Sequence, residues 1–269
     1  MTKLIAFDMD GTLLNSKKKI SFLTKHYLIK LTKQGHKVIL ASGRPSRALV
    51  SYYKELKLST PLICYNGAYT FSPCDESFNP HEFKFPKNIL IDIYENIKPY
   101  IEHVMCETDK EIFVDKLDRY LNKFFWFDNM IIHEGNIRDI LDKDPMTMIG
   151  KLKEGVVDTS PIDKIVSQYK DLSIRYWTGS PYFELFFNET SKGASIQKIA
   201  KHYNIKKEDI IVFGDAENDV EMFSVAGVSV AMSNGKETLK KKARYISLKD
   251  NDHNGIYYTL KAYLNNKLS

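Results

Sequence analysis

The sequence lacks the features that mark several large classes of protein. It has three cysteines in 269 residues, Cys64, Cys74 and Cys106, and no two of them form a CxxC pair. An odd number of cysteines without such spacing indicates neither a disulfide framework nor a zinc site, and it favours a reducing compartment. The seven histidines form no HExxH pair, so a zinc centre of that kind is not indicated either.

Long apolar runs and export signals are also absent. No stretch of eighteen or more apolar residues occurs, although a membrane-spanning helix requires one. The amino terminus enters a short apolar run without a basic, apolar, small-residue leader. We therefore expect a cytoplasmic protein without a membrane partner. The sequence carries no indication of its oligomeric state.

The positive charge of the chain is scattered. The formal net charge of +5 comes from short runs such as residues 17–19 and 240–242, and no RNA-binding motif accompanies them. We interpret these runs as solvated helix faces, with an anionic small substrate as a secondary explanation, and we expect no nucleic-acid partner. The composition, 43% hydrophobic and 27% charged, is that of a globular protein with one large or two smaller domains.

Two closely spaced acids follow the first apolar run. Asp8 and Asp10 come directly after residues 4–7, and carboxylates this close repel each other unless a cation lies between them. A calcium EF-hand loop would need Gly and Glu where this chain has Leu13 and Lys19, and no GxxxxGK[ST] phosphate loop occurs. The remaining alternatives are a magnesium site and a plain Asp-Gly turn after a strand.

Groups suited to phosphate follow later in the chain. A second β-rich run ends in Ser42, Gly43 and Arg44, which bring a hydroxyl and a backbone N–H to a strand end. Lys192 opens an amphipathic helix, where its charge opposes the helix dipole and indicates an anionic partner. These groups favour a phosphoryl-transfer site over a plain turn.

A third strand end carries another group of oxygen ligands. Residues 210–214 form an apolar run, and Asp215, Asn218 and Asp219 follow it. Carboxylate and amide oxygens are hard ligands of the kind that magnesium prefers.

Strands and helices alternate in both halves of the chain, as they do in a parallel sheet. We predict strands at 4–8, 37–41, 61–65, 210–214 and 227–231, and helices near 20–34, 45–56 and 217–225. Residues 72–80 have the composition of a linker, and residues 83–185 form an insert of mixed α/β content, long enough for its own core.

Six motifs in this order resemble those of a known family. They are DMDGTL at 8–13, ASGR at 41–44, YNGA at 65–68, SKG at 191–193, GDAEND at 214–219 and AMSNG at 231–235. The chain thereby resembles the haloacid dehalogenase (HAD) superfamily, and within it the Cof-type sugar-phosphatase-like branch with a C2B-type α/β cap. It departs from that branch at residues 233–235, where GNA is frequent, and at residues 254–255, where DG is frequent.

The resemblance implies an α/β fold in two parts. Residues 1–82 and 186–269 would form a Rossmann-like, parallel-sheet HAD core, and residues 83–185 would form an inserted α/β cap that closes over the active site and sets substrate specificity. Within the insert, Trp126, Trp177 and Tyr182 could line a substrate pocket, but aromatic residues at alternating strand positions more often belong to a core.

The resemblance also implies catalytic roles. Asp8 would attack phosphorus and form an aspartyl-phosphate. Asp10 would protonate the leaving oxygen and later take a proton from water, which requires a pKa above the ~3.9 of a free aspartate. Mg²⁺ would be held by Asp8, the backbone carbonyl of Asp10, and Asp215.

Further residues would hold the phosphoryl group. We expect the phosphoryl oxygens to be held by Ser42, the Gly43 N–H, Lys192 and Asn218. Thr12, which would hydrogen-bond near Asp10, belongs to the same phosphate-binding set. Three positions keep alternatives open. Asp219 binds metal through water or orients Lys192, Asn66 contacts the phosphoryl pocket or only forms a turn, and Arg44 pairs with substrate or with a carboxylate.

The predicted function is a magnesium-dependent phosphatase that acts on small phosphorylated metabolites, with sugar phosphates as the expected class. A phosphomutase of the same fold is an alternative, and only the cap separates water from a sugar as phosphoryl acceptor. A non-enzymatic sensor of phosphorylated metabolites is a second alternative. It is disfavoured because Asp8, Asp10, Lys192 and Asp215 are all present.

Overall fold

The chain divides into two compact units. The structure, a computed structural model, describes residues 2–125, 127, 129–177 and 179–267. The first unit comprises the described residues of Met1–His81 and Ser191–Ser269, and the second comprises those of Glu82–Thr190. Trp126 lies outside the described residues.

The strands occupy both units. In chain order they are β1 (Leu4–Phe7), β2 (Lys37–Leu40), β3 (Leu62–Cys64), β4 (Tyr69–Phe71), β5 (His81–Glu82), β6 (Ile101–Glu107), β7 (Glu111–Val114), β8 (Ile131–Glu134), β9 (Thr147–Leu152), β10 (Leu172–Tyr176), β11 (Tyr182–Phe187), β12 (Ile210–Gly214), β13 (Val228–Ala231) and β14 (Tyr245–Ile246).

Helices alternate with these strands. They are α1 (Phe22–Lys33), α2 (Ser46–Glu55), α3 (Lys87–Ile97), α4 (Arg119–Phe125), α5 (Ile137–Ile140), α6 (Ser160–Val166), α7 (Lys192–His202), α8 (Val220–Val225), α9 (Glu237–Lys240) and α10 (Gly255–Leu264), with short 3₁₀ turns at Tyr65–Gly67, Lys207–Asp209 and Glu217–Asp219. None of the described helices is both long and apolar enough to cross a membrane.

A parallel sheet forms the centre of the first unit. Its order is β14-β13-β12-β1-β2, and each neighbouring pair is parallel. The central strand β1 is buried along its whole length, as expected for a parallel sheet with both faces covered. Leu4 and Ala6 contribute to one core cluster, while the ring of Phe7 stacks on that of Phe213 at 5.2 Å. The predicted fold class, α/β with a parallel-sheet core, is confirmed.

The second unit is built on a different sheet. Its order is β10-β11-β9-β6-β7-β8, with only the β7–β8 pair parallel among its neighbouring pairs. Successive residues of β6 enter separate core clusters, Val104 and Cys106 on one side and Met105 on the other, because side chains alternate across a strand. Tyr182 is buried in the second of these clusters with Trp177 packed against it, so a core position is the better description of both aromatics.

Three local expectations need correction. The domain boundary expected after residue 185 falls inside β11, whose pairing with β10 holds Phe186 and Phe187 in the second unit. Residues 72–80 are anchored rather than free, because Phe78 is buried in the core of the first unit and Asp75 pairs with His202 at 3.1 Å. The lysines of residues 17–19 lie in a turn and not on a helix face.

Candidate active site

The centre of the site lies where two neighbouring parallel strands end. Asp8 follows β1 and Asp215 follows β12, and the Asp8 N–H still donates to the Phe213 carbonyl at 3.0 Å. The carboxyl ends of parallel strands share one edge of the sheet, which is where open α/β sheets place their ligands. Residues 207 positions apart in the sequence are thereby brought together.

Lys192 is the buried cation of the site. It is the first residue of α7, which begins after Ser191 caps the helix by accepting a hydrogen bond from the Ala194 N–H at 3.0 Å. A Cβ on Gly193 would lie 2.4 Å from the Glu221 carbonyl oxygen, so the glycine allows α7 to pack closely against α8. The Lys192 side chain is fully buried, and its Nζ lies 2.5 Å from Asp8 Oδ1.

Asp219 holds Lys192 from the other side. Its Oδ1 accepts from Lys192 Nζ at 2.7 Å, and its Oδ2 accepts from the backbone N–H groups of Asp215 at 2.9 Å and Ala216 at 3.2 Å. Both oxygens of this fully buried carboxylate are therefore engaged by the protein. Of the two roles left open for Asp219, these contacts favour orientation of Lys192.

Charges in this cluster are not balanced. Carboxylate oxygens of Asp8, Asp215 and Asp219 all lie within 4.8 Å of one another, beside one ammonium group. Burial, with the carboxylates of Asp219 and Asp215, raises the pKa of Asp8 well above its ordinary value although Lys192 opposes this. Burial and Asp219 likewise raise the pKa of Asp215 to about 6. For Lys192, burial alone would lower the pKa, but the two carboxylates outweigh it and raise the pKa.

Thr12 contacts a different acid from the one expected. Its hydroxyl donates to Asp215 Oδ1 at 2.9 Å. The turn after β1 makes this possible: Gly11 has φ +80°, and a Cβ there would come within 2.4 Å of Asp215 Oδ2. A glycine is needed because the turn passes directly against the Asp215 carboxylate.

The second strand end supplies polar groups in a connected set. Ser42 is buried, and its hydroxyl accepts from the Arg44 N–H at 3.1 Å. Asn66 has a left-handed backbone, φ 53°, and its amide oxygen accepts from Asn218 Nδ2 at 3.0 Å. A Cβ on Gly43 would lie 3.0 Å from that same Asn66 side chain. Asn66 is thus both a turn residue and a neighbour of Gly43 and Asn218.

Asp10 is held by Arg44, and this pairing overturns one expectation. Arg44 is buried, and its Nε and Nη2 donate to the two oxygens of Asp10, each at 2.6 Å. Lys18 Nζ adds a third contact, 2.6 Å from Asp10 Oδ1. Burial alone would raise the pKa of Asp10, but these cations outweigh it and lower the pKa from its ordinary value. The prediction that Asp10 has a raised pKa, as a general acid requires, is therefore wrong for the resting state.

Two residues of this region, Lys18 and Asn234, were not predicted from the sequence. Lys18 belongs to the charge run that was assigned to a solvated face, and nothing in its spacing indicated Asp10 as its partner. Asn234 donates from Nδ2 to the Gly11 carbonyl at 2.8 Å and so braces the turn after β1. The AMSNG motif contains Asn234 and could have drawn attention to it.

Comparison with known proteins places this site in a family. Residues 5–260 match the family described as haloacid dehalogenase-like hydrolase. A 5-amino-6-(5-phospho-D-ribitylamino)uracil phosphatase of Bacillus subtilis, YitU, is 32% identical over 97% of both chains. The Escherichia coli phosphatase YbjI, named for the same compound, is 25% identical over 90% of this chain and 89% of its own.

The fold has the same relatives. A haloacid dehalogenase-like hydrolase from Bacteroides thetaiotaomicron superposes with a TM-score of 0.79 and 27% identity, covering 98% of this chain and all of its own. The resemblance drawn from the six motifs is therefore confirmed. Because one family spans nearly the whole chain and joins it to a curated phosphatase at 32% identity, the protein belongs to the haloacid dehalogenase-like hydrolases, as a hydrolase of their phosphatase type.

Proposed function

We propose that the protein is a magnesium-dependent phosphatase that hydrolyses small phosphate monoesters through an aspartyl-phosphate on Asp8. The observation that carries this proposal is the cluster at the ends of β1 and β12. There the Asp8 carboxylate lies against the buried Lys192 ammonium and beside Asp215. A carboxylate nucleophile, a buried cation and a second acid in one cluster are what covalent phosphoryl transfer requires.

The donor set of this cluster fits Mg²⁺. Three carboxylates face one ammonium, and burial together with the neighbouring carboxylates raises the pKa values of Asp8 and Asp215. Asp8 and Asp215 would be the side-chain ligands, joined by the backbone carbonyl of Asp10. Asp219 would not bind the ion directly, because both of its oxygens already accept hydrogen bonds within the protein. The bound ion would neutralise charge on the phosphoryl oxygens.

The proposed reaction takes two steps. An oxygen of Asp8 forms a bond to phosphorus as the bond to the ester oxygen breaks, and Asp10 gives a proton to that leaving oxygen. A water molecule then attacks phosphorus while Asp10 takes its proton, and the bond between phosphorus and the Asp8 oxygen breaks. This releases inorganic phosphate and restores both the Asp8 carboxylate and the protonated Asp10 that the first step consumes. Because Arg44 and Lys18 hold Asp10 as a carboxylate in the resting state, Asp10 takes up a proton from solvent before the first step. It returns to the carboxylate form, which acts as the base, when it gives that proton to the leaving oxygen.

Phosphoryl oxygens would be held by a ring of donors around Asp8. Lys192, the Ser42 hydroxyl, the Gly43 N–H and the Asn218 amide are the groups we assign to this role, as negative charge spreads over the oxygens in the transition state. Asn66 would act through Asn218, since their side chains are hydrogen-bonded at 3.0 Å.

Sugar phosphates and phosphorylated sugar alcohols are the substrate class we propose. Both YitU and YbjI are named for a compound whose phosphate is carried by a ribityl chain, which is an alkyl phosphate of a sugar alcohol. The test is phosphate release across a panel that contains this compound, ribose 5-phosphate and p-nitrophenyl phosphate. Hydrolysis of none of them would contradict the proposed function.

Metal dependence has its own test. We expect turnover to vanish when the protein is treated with a chelator and to return with Mg²⁺ but not with Ca²⁺. The reason is that calcium's larger and looser coordination shell misplaces the in-line geometry. Full activity in Ca²⁺, or after exhaustive chelation, would contradict the metal assignment.

A further inference from the structure

The hairpin turn that follows the first strand carries an unusual lysine. Lys18 is one of the non-glycine residues with a left-handed backbone, φ 56°. The turn holds it there, because the Lys18 N–H donates to the Asn15 carbonyl at 2.8 Å and the Tyr52 hydroxyl donates to the Lys18 carbonyl at 2.9 Å. A lysine is disfavoured in this conformation, which glycine or asparagine adopts more readily.

Stability does not explain why a lysine occupies this position. The Lys18 side chain is 59% exposed and pairs with Asp10, which is 34% exposed. Ion pairs in such surroundings contribute little to folding, and the backbone conformation opposes even that contribution. The feature that needs explaining is the contact between the Lys18 side chain and Asp10, the residue to which we assign the acid–base role.

The contacts on Asp10 are unequal between its two oxygens. Oδ1 accepts from both Arg44 Nη2 and Lys18 Nζ, while Oδ2 accepts from Arg44 Nε. Lys18 therefore fills the second lone pair of Oδ1. Among the hydrogen bonds of the described residues, the second lone pair of Oδ2 is the one left for a substrate oxygen.

We propose that Lys18 is a positioning residue that, together with Arg44, fixes the orientation of Asp10 so that Oδ2 exchanges the proton with the leaving oxygen. This inference rests on the proposed function and adds a residue to it. It predicts a dependence on the leaving group. An alkoxide must be protonated as it leaves, whereas p-nitrophenolate is a stable anion and leaves without a proton.

The test compares kcat/KM for ribose 5-phosphate and p-nitrophenyl phosphate in Lys18→Met. This constant covers the steps up to departure of the leaving group, so the later hydrolysis of the aspartyl-phosphate does not enter it. We expect a loss of roughly 10- to 100-fold for the alkyl ester, part of the 10²- to 10⁴-fold that a general acid contributes. For the aryl ester we expect a loss of less than about 3-fold, since its leaving group needs no acid.

Four variants serve as controls. Lys19→Met removes an exposed charge from the same turn and should leave both constants unchanged. Lys18→Arg restores a cation and should recover most of the alkyl-ester activity. Lys18→Gly suits the left-handed backbone, so it should fold at least as well as the parent and still lose the alkyl-ester activity. Lys57→Gly, at another left-handed lysine, φ 53°, should change stability alone.

Two results would overturn the proposal. Equal losses on both esters would mean that Lys18 attracts the phosphate or supports the fold, and unchanged constants would mean that Arg44 orients Asp10 alone. Failure of the proposed function is distinguishable from either result, because in that case the parent protein would hydrolyse neither ester in Mg²⁺.

Discussion

Asp8 in the first unit directly follows β1, whereas Asp118 in the second lies directly before α4, and their surroundings shift their pKa values in opposite directions. Asp118 accepts from the Tyr182 hydroxyl at 2.7 Å and from the Tyr120 and Leu121 N–H groups at 2.6 and 3.0 Å. Burial alone would raise its pKa, but these hydrogen bonds outweigh burial and lower it. The pKa of Asp8 is raised by burial and by its acidic neighbours.

The difference distinguishes an acid that supports the fold from the acid that we propose as the nucleophile. Asp118 is satisfied by donors of its own unit, where it caps α4 and fixes Tyr182. Asp8 lies in a cluster whose negative charge exceeds what Lys192 neutralises, and groups with such shifted pKa values concentrate at functional sites. Two aspartates with little exposure are thus not equivalent, and the donors and charges around each one distinguish their proposed roles.

Removing the carboxylate charge of Asp8 or of Asp118 should give the largest difference between the two residues. Asp8→Asn should lower turnover by at least ~10⁴-fold, since the amide is a poor nucleophile, and should leave the fold intact. Asp118→Asn should retain turnover within a few-fold and lower the free energy of unfolding by about 1–2 kcal/mol, because the helix cap is weakened. Steady-state kinetics and urea unfolding measure the two effects. Trapping a phosphoenzyme on a residue other than Asp8 would contradict the assignment.

Removing a buried cation should have the next largest effect. Lys192→Met leaves Asp8 and Asp219 buried without their partner, so we expect a loss of about 3–5 kcal/mol in stability and of roughly 10³-fold in kcat. The matched change in the second unit is Arg175→Met, whose partner Glu184 lies 2.7 Å away in a partly exposed pair. It should cost at most about 1 kcal/mol. Similar losses for the two variants would argue against a special cluster in the first unit.

The smallest predicted effect concerns stability without metal. Asp215 has a pKa of about 6 in the folded chain, against ~3.9 when unfolded, so the folded state binds more protons between these values. Stability of the metal-free protein should therefore fall as pH rises from about 4 to about 6. Asp215→Asn should remove the part of this loss that Asp215 contributes, leaving the part due to the raised pKa of Asp8, and should stabilise the metal-free protein at pH 7 by on the order of 1–2 kcal/mol.

Thermal unfolding with chelator and with Mg²⁺ checks this prediction. The parent should gain stability from Mg²⁺ at pH 7, because the ion binds only the folded cluster, whereas Asp215→Asn should gain little. Thr24→Val, a change at a buried hydroxyl in α1 away from the cluster, should keep the full Mg²⁺ response. A variant at Asp215 that still responded fully to Mg²⁺ would remove this residue from the proposed ligand set.

Much of the fold could be predicted from the sequence because strand patterns are local. The apolar runs at 4–8 and 210–214 correspond to β1 and β12 within a residue, and a parallel sheet must bring their carboxyl ends together. The boundary near residue 185 was misplaced because the apolar residues of the chain continue past it to Phe186 and Phe187. Only the pairing of these two residues with β10 assigns them to the second unit.

Side-chain partners were predicted less well than strand ends. The segment 72–80 resembles a linker by composition, but its one large aromatic, Phe78, is buried in the core. Thr12 was expected to hydrogen-bond near Asp10, and the left-handed turn at Gly11 directs its hydroxyl to Asp215. Such contacts depend on where a turn points a side chain, and residue spacing does not specify that direction.

The sequence by itself determined the α/β fold, the family, and the acids and the lysine that gather at the strand ends, because periodicity and motif order are properties of the chain. Tertiary structure decided the electrostatics. It set Lys192 between Asp8 and Asp219, and it placed Arg44 and Lys18 on Asp10. The physical reason is that a pKa depends on burial and on charges within a few ångströms, and those distances exist only once the chain has folded.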